Sequence, residues 1–279
     1  MATGVPDEEH DGVDPLKLIL PDEDEAESGT SSVEPEIAAD SHQIERHFLR
    51  SVNSTVAIRQ LRSQGLSFQL WPAATTLVSI LDDSAAGPLS STLAAFGDRE
   101  QLRILELGSG TGLVGIAAAA ALGADVTVTD LPHVLPNLHF NAEANAPLLS
   151  STGGAVRVAA LRWGEAEDVE LIGNDFDLVL ASDVVYYDYL FDPLLQTLKL
   201  LFGGGGGSQA MMDKKMLFVM AHLRRWKKDS AFFKKARKMF DIEVIHTDEP
   251  CPGSRIGVVV YRFEWRVKGH QQPISQHPM

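Results

Sequence analysis

"LELGSGTG", Leu105 to Gly112, is the stretch whose reading decides the fold. It reads as the end of a short apolar strand, "RILEL", running into a turn of alternating glycines. Glycine adopts backbone conformations closed to other residues and lets the main chain approach a ligand closely. The next residues, "LVGIAAAAALG", form a helical run whose positive dipole end faces the same crevice as the turn. Two registers fit. Gly110-x-Gly112-x-x-Gly115 satisfies the dinucleotide fingerprint, with Asp130 placed 20 residues beyond Gly110 as the ribose acid. That register carries the strand to Ser109 and puts Glu106 and Gly108 inside it. A buried carboxylate is costly there, and a glycine weakens a strand interior. If the strand instead ends at Glu106 or Leu107, the acid lies at the crevice and Gly108 opens the turn. The motif is then Glu-x-Gly-x-Gly-x-Gly.

Outward from this point the chain alternates strand and helix signals. "DVTVTD" is a β-branched strand ending in Asp130, "PHVLPNLHFNAEANA" a helix, and "AVRVAALRW" and "FDLVLASD" two more strands. Asp192-Pro193 predicts a helix start, with a capping carboxylate and proline at the first helical position. Leu194, Leu195, Leu198, Leu201 and Phe202 then share one face, and Gly203 closes it. "MLFVMAH", "DIEVIH" and "IGVVVYRFEW" complete seven strands. The fold class is α/β: a seven-stranded, twisted, mainly parallel sheet with helices on both faces. Before it, "HFLRSVNSTVAIRQLRSQGLSFQLWPA" predicts a β-hairpin leading into the helix "ATTLVSIL". The run "GGGGGS" from Gly203 to Ser208 is a flexible loop and no phosphate cradle, since no Lys-Ser/Thr follows it.

The net charge of −14 is concentrated at one end: residues 1–40 carry thirteen acids and one base, Lys17, leaving −2 for residues 41–279. An acidic segment without aromatics cannot bury enough surface to offset its chain entropy. The expected division is an acidic disordered tail over 1–42, a folded domain over 43–266 and a second loose tail over 267–279. Within the domain, 43–102 hold the hairpin and helix and 103–266 the core. No apolar run is long enough for a membrane span, and no signal peptide is read at the start. Cys251 is the single cysteine, which suits a reducing compartment and a cytoplasmic, also nuclear, location. The nine histidines show no metal-ligand spacing, so no metal is expected.

The Glu-x-Gly-x-Gly-x-Gly register is that of S-adenosylmethionine-dependent methyltransferases, whose cofactor has a cationic methionine end and no diphosphate. More widely, "LWPAATTL", "ILELGSGTGLVGI", "VTVTDLPHVLPNLHFNAEAN", "ALRWG" and "DLVLASDVVYYDYLFDPLLQTL" occur in that order. Together these blocks, from about Ser51 to Arg262, resemble the family-16, seven-β-strand protein lysine methyltransferases, which implies a Rossmann-like core. The resemblance implies that Trp71, Glu106, Gly108, Gly110, Gly112, Asp130 and Trp163 border S-adenosylmethionine, with Asp130 on the ribose and Trp163 against the adenine. It implies that Asp183 and Tyr186, the Asp-x-x-Tyr motif after the fourth strand, form the acceptor side. Where the family most often shows an acid before the second tryptophan, this chain has Arg162.

Methyl transfer to lysine needs a neutral amine, whose unperturbed pKa is about 10.4, about 3 Å from the methyl. An aromatic slot that excludes water disfavours the ammonium form. Asp183 is too weak a base for that proton and reads as a positioning group, with Tyr187 a neighbour. Asn141 and Asn145 read as cap, pocket or polar helix face. Between Met212 and Lys238 lie ten basic residues and two acids, a stretch able to hold phosphate, an acidic partner or only water. "SDVV" lacks the prolines usual in methyltransferases acting on exocyclic base nitrogens, so nucleic acid is disfavoured. The expected partner is a protein substrate, with chaperones, translation factors and subunits of large complexes implied by the resemblance, and the chain is expected to be a monomer. The alternatives are an RNA or small-molecule methyltransferase and a non-catalytic cofactor-binding module.

Overall fold

Side-chain alternation along one strand builds a core on each face of the sheet. In Arg103–Leu107, Ile104 and Glu106 face one side and Leu105 and Leu107 the other, all four buried. The computed structural model describes residues 43–97, 101–203, 216–225, 227–250 and 257–266. The acidic tail, the glycine run after Gly203, Cys251 and the segment from 267 lie outside the described residues.

The strands are β1 (Gln43–Leu49), β2 (Ser54–Gln60), β3 (Arg103–Leu107), β4 (Asp125–Asp130), β5 (Ala155–Ala160), β6 (Leu178–Ser182), β7 (Leu217–Leu223), β8 (Phe240–Thr247) and β9 (Val258–Trp265). The helices are α1 (Pro72–Asp82), α2 (Ser90–Ala94), α3 (Leu113–Leu122), α4 (Leu135–Ala144), α5 (Ala146–Thr152), α6 (Ala166–Ile172), α7 (Phe191–Gly203) and α8 (Asp229–Ala236). The main sheet has the order β5-β4-β3-β6-β7-β9-β8, parallel from β5 to β7 and antiparallel at β9 and β8. One crossover leaves β3 for β4, and a later one brings the chain to β6 on the other side. The carboxyl ends of β3 and β6 therefore border the crevice where the strand order reverses, the usual ligand position in open α/β sheets. Among the described residues no helix is long and apolar enough to cross a membrane.

Helices α1 and α3 pack with Ile104, Val126 and Leu180 on one face, while α7 and α8 cover Leu105, Val179 and Phe218 on the other. Helix α3 lies close to the sheet because it is rich in alanine and buried along Leu113–Ala120. A Cβ on Gly115 would stand 2.3 Å from Val128 Cγ1. The third glycine of the literal dinucleotide fingerprint thus serves helix–sheet packing.

Two helix predictions shift. The helix expected from Pro132 begins at Leu135 and breaks at Asn145 into α4 and α5, because Pro147 has no N–H to continue the ladder. Helix α7 begins at Phe191, so Asp192 does not cap it; its carboxylate instead accepts from Lys235 Nζ at 2.7 Å. The strand "AVRVAALRW" ends at Ala160, leaving Trp163 in the following loop.

The β1–β2 hairpin lies on α4 through side chains spaced four apart on one helix face. Asn145 Oδ1 accepts from Ala57 N (2.9 Å) and its Nδ2 donates to Ala57 O (2.8 Å). Asn141 repeats this with Arg59 N and O, at 2.8 and 3.1 Å, and Asn137 Oδ1 accepts from Arg59 Nε at 2.8 Å. These amides supply the partners that a third strand would give β2. Asn141 Nδ2 also donates to Thr111 O at 2.9 Å, joining the hairpin to the glycine loop.

Candidate functional site

The glycine loop is tied to the end of β4 before any ligand is considered. Ser109 N donates to Thr129 O at 2.9 Å, Thr129 N donates to Ser109 Oγ at 3.0 Å, and Gly110 N donates to Asp130 Oδ2 at 2.8 Å. The other Asp130 oxygen accepts from Leu131 N at 2.7 Å. Each carboxylate oxygen retains a lone pair toward the crevice. Burial raises the Asp130 pKa, against the pull of these backbone N–H groups and of His133. Gly108 and Gly110 have φ of +62° and +55°, a left-handed region costly for other residues. Space is equally restrictive, since a Cβ on Gly108 would lie 2.9 Å from the Trp163 ring and one on Gly110 3.0 Å from Ser67 O. Gly112 completes the turn at φ +84°. Trp163 is thereby held against the loop.

Glu106 does not open onto the crevice as its register suggested. Its odd–even position turns it under α3, where Oε2 accepts from Gly115 N at 2.9 Å and only 1% of the residue is exposed. Burial pushes its carboxyl up to about 8. At neutral pH it is mostly protonated, which avoids an uncompensated charge in the core.

The side expected to receive the acceptor is built from β6 and β7. Asp183 follows β6 with φ +58°, and its N–H donates to Ala221 O at 2.9 Å. Its carboxylate is not a free rim acid. Arg225 donates through Nη1 to Oδ1 at 3.0 Å and through Nη2 to Oδ2 at 2.7 Å, and Leu223 N donates to Oδ1 at 3.2 Å. Buried His222 lies beside it, Nδ1 3.7 Å from Asp183 Oδ1, while its Nε2 is 3.2 Å from Asp229 Oδ2. Burial opposes the Asp183 charge, but hydrogen bonds from His222 and Arg225 outweigh it and hold the carboxyl below its usual range. Burial likewise opposes charge on His222, and Asp183 and Asp229 reverse it, raising that imidazole.

Arg225 also faces Trp71 at the start of α1, with Cζ 5.3 Å from the ring centroid. The indole Nε1 donates to Leu66 O at 3.0 Å. Tyr186 is half-buried, and its hydroxyl is pushed up to about 12 by burial, then by the Asp130 charge and the neighbouring Tyr189 and Tyr187. Asp130 closes β4 and Tyr186 follows β6, the two strands that flank β3 in the sheet. Tyr187 packs 4.8 Å from Tyr186 and 5.4 Å from Tyr189, forming a three-ring row.

Residues 50–239 match the lysine methyltransferase family. The chain belongs to that family. It is a lysine methyltransferase with relatives across vertebrates. Over 79% of this chain and 88% of its own length, protein N-lysine methyltransferase METTL21A of Danio rerio is 31% identical. EEF1A lysine methyltransferase 3 of Mus musculus is 32% identical over 77% of this chain and 78% of its own. Among solved structures, a SAM-dependent methyltransferase from Agrobacterium tumefaciens aligns with a TM-score of 0.49 at 15% identity, covering 82% of this chain and 72% of that one.

In this methyltransferase, Arg162 turns away from the glycine loop. Its guanidinium donates to Asp168 Oδ2 at 2.8 Å and Oδ1 at 2.7 Å in the first turn of α6. Among the described residues no group of three or more His, Cys, Asp or Glu side chains is arranged to hold a metal ion. The sequence reading missed Arg225, His222 and Asp229 as site residues. The available signals were a histidine closing "VMAH" beside β6 and a lone acid, Asp229, within a basic stretch.

Proposed function

We propose that the enzyme takes its methyl group from S-adenosylmethionine held at the carboxyl ends of β3, β4 and β5, and passes it to a lysine amine entering between β6 and β7. The observation that carries this reading is the parallel order β4-β3-β6, which sets Asp130 at the end of β4 and the Asp183–Tyr186 segment after β6 on either side of the glycine loop that follows β3. The donor set suits the cofactor. Asp130 offers two carboxylate oxygens to a diol, and an acid beside the glycine loop suits a cationic ligand better than a diphosphate. When bound, the cofactor supplies an electrophilic methyl. Gly108, Gly110 and Gly112 keep the loop backbone close, and Trp163 and Trp71 border the ring and the entrance.

On the acceptor side, Asp183 is already compensated by Arg225. The slot therefore holds no unpaired anion that would trap lysine as its ammonium. Tyr186 stays protonated through the neutral range, so its hydroxyl orients the amine as a hydrogen-bond partner and does not remove its proton. Half-buried Tyr186 and Tyr187 offer aromatic surface beside the amine, and partial burial there favours its neutral form. Asp183 positions the slot through Arg225 and the end of β7. The substrate is read as a protein; the mouse relative is an EEF1A lysine methyltransferase, which supports a substrate of that kind.

The test is transfer of labelled methyl to proteins in a cell extract, followed by amino-acid analysis for methyl-lysine. Label in protein lysine is the expected result; label confined to RNA or small molecules overturns the reading. Asp183→Ala is expected to abolish transfer while leaving cofactor affinity within about two-fold, since it lies on the acceptor side. Unchanged turnover would remove its role.

A further inference from the structure

Beyond the slot, the β7–α8 segment shows a separation of charge. Arg225 and Asp229 turn inward to Asp183 and His222, and Phe232, Phe233 and Ala236 enter the core. The other basic residues point outward. Arg224, Lys227, Lys234, Arg237 and Lys238 are exposed and have no ion pair among the described residues, whereas Lys235 is joined to Asp192.

They gather around one short helix. Lys234 lies in α8, whose Phe232 and Ala236 face the core, while Lys227 comes just before the helix and Arg237 and Lys238 directly follow it. Burial raises the Tyr261 phenol against the pull of both Arg224 and Arg237. Arg224 and Arg237, both exposed, add to the positive charge of this segment.

The near end of this segment is fixed to the acceptor slot. Leu223 N and the Arg225 side chain bond Asp183, and Arg225 N donates to Asp229 Oδ2 at 3.3 Å in the first turn of α8. Anything held along α8 is therefore held at a set distance from Asp183 and Tyr186.

We propose that the exposed basic surface around α8, with Lys227 before the helix, Lys234 on it and Lys238 after it, and Arg224 and Arg237 beside them, docks an acidic segment of the protein substrate flanking the acceptor lysine. The proposal rests on the reading of the site as a protein lysine methyltransferase centre. Charge complementarity selects the partner and speeds encounter. Membership of the lysine methyltransferase family makes a protein segment the better fit, and nucleic acid is the competitor to test against.

The experiment uses the full chain and two fluorescent peptides of equal length with one central lysine, one rich in Asp and Glu and one uncharged. Single-stranded RNA of mixed sequence is the competitor. The acidic peptide is expected to bind more tightly, and its affinity to fall as salt shortens the screening length from about 30 Å at 0.01 M to about 8 Å at 0.15 M. The variant Lys227→Glu/Lys234→Glu/Lys238→Glu is expected to lose about ten-fold or more in peptide affinity, a step of about 1.4 kcal/mol. Cofactor affinity and thermal midpoint should be unchanged. Equal binding of the two peptides, undiminished binding by the triple variant, or a preference for RNA overturns the docking surface. Labelled-methyl transfer is followed in parallel. Charge-dependent peptide binding without methyl-lysine supports the docking surface and overturns the reading of the site. Methyl-lysine formed equally on both peptides does the reverse.

Discussion

The two sides of the crevice bury ionisable groups in opposite ways. On the proposed cofactor side, Glu106 lies under α3, accepts from Gly115 N with Ser109 beside it, and is kept mostly protonated by burial. On the acceptor side, Asp183 is held charged by Arg225, with His222 and Asp229 behind it. The proposed cofactor side draws on contiguous chain, since loop, helix start and the acid proposed for the ribose all fall between Glu106 and Asp130. The acceptor side joins residues about forty positions apart, as the 42-residue separation of Asp183 and Arg225 shows. One side is organised chiefly by backbone hydrogen bonds and the other by side-chain charge. Substitutions should therefore separate them.

The largest effect is expected from Arg225→Ala. It strands a buried carboxylate, and breaking one half of such a pair costs about 3–5 kcal/mol. Urea unfolding should show the loss, and Asp183→Asn combined with Arg225→Met should recover much of it without restoring methyl transfer. A single variant as stable as the wild type would break the contrast between the two sides.

Glu106→Gln probes the other side through pH. The folded-state pKa of Glu106 is about 8, against about 4.3 unfolded. The folded protein thus binds more protons between those values, and its stability falls as pH rises through that window. Removing the carboxyl should flatten that fall, on the order of a few kcal/mol between pH 5 and 8. His222 adds a fall of the same sign with the opposite charge. Its pKa is raised, so its contribution is full below about 6.5 and is lost as pH rises through the folded value. A fall retained by Glu106→Gln and removed by His222→Gln would assign the dependence to the acceptor side.

The smallest of the three effects is expected from Asp130→Asn, which keeps the side-chain shape. It weakens the acceptor for Gly110 N–H and for a ligand diol. A charge-assisted hydrogen bond contributes about 1.5–3 kcal/mol, so calorimetry should show cofactor binding weakened roughly ten- to a hundred-fold. Global stability should change by less than the Arg225→Ala loss. A large unfolding effect with intact cofactor affinity would reverse the roles of the two sides.

Much of this was legible in the residues. Period-2 alternation and β-branched runs located the seven strands, and the glycine spacing with Asp130 located the crevice. The alternation in "RILEL" also contained the fate of Glu106. An acid two residues from buried Ile104 shares its face, beneath the helix. Asn141 and Asn145 left cap, pocket and polar face open because sequence cannot say what packs on a helix. Their partner is the edge of β2, about eighty positions away.

By itself the sequence determined the order of elements, the glycine turn and the acids at two strand ends, since these depend on local periodicity, backbone freedom and short spacing. The tertiary structure alone decided which charges meet. Parallel pairing of β6 with β7 brings Arg225 onto Asp183, and the asparagine amides of α4 join the hairpin to Thr111. The physical reason is range. Helix and turn preferences act over a few residues, whereas an ion pair or an amide clamp depends on which strands the folded sheet makes neighbours.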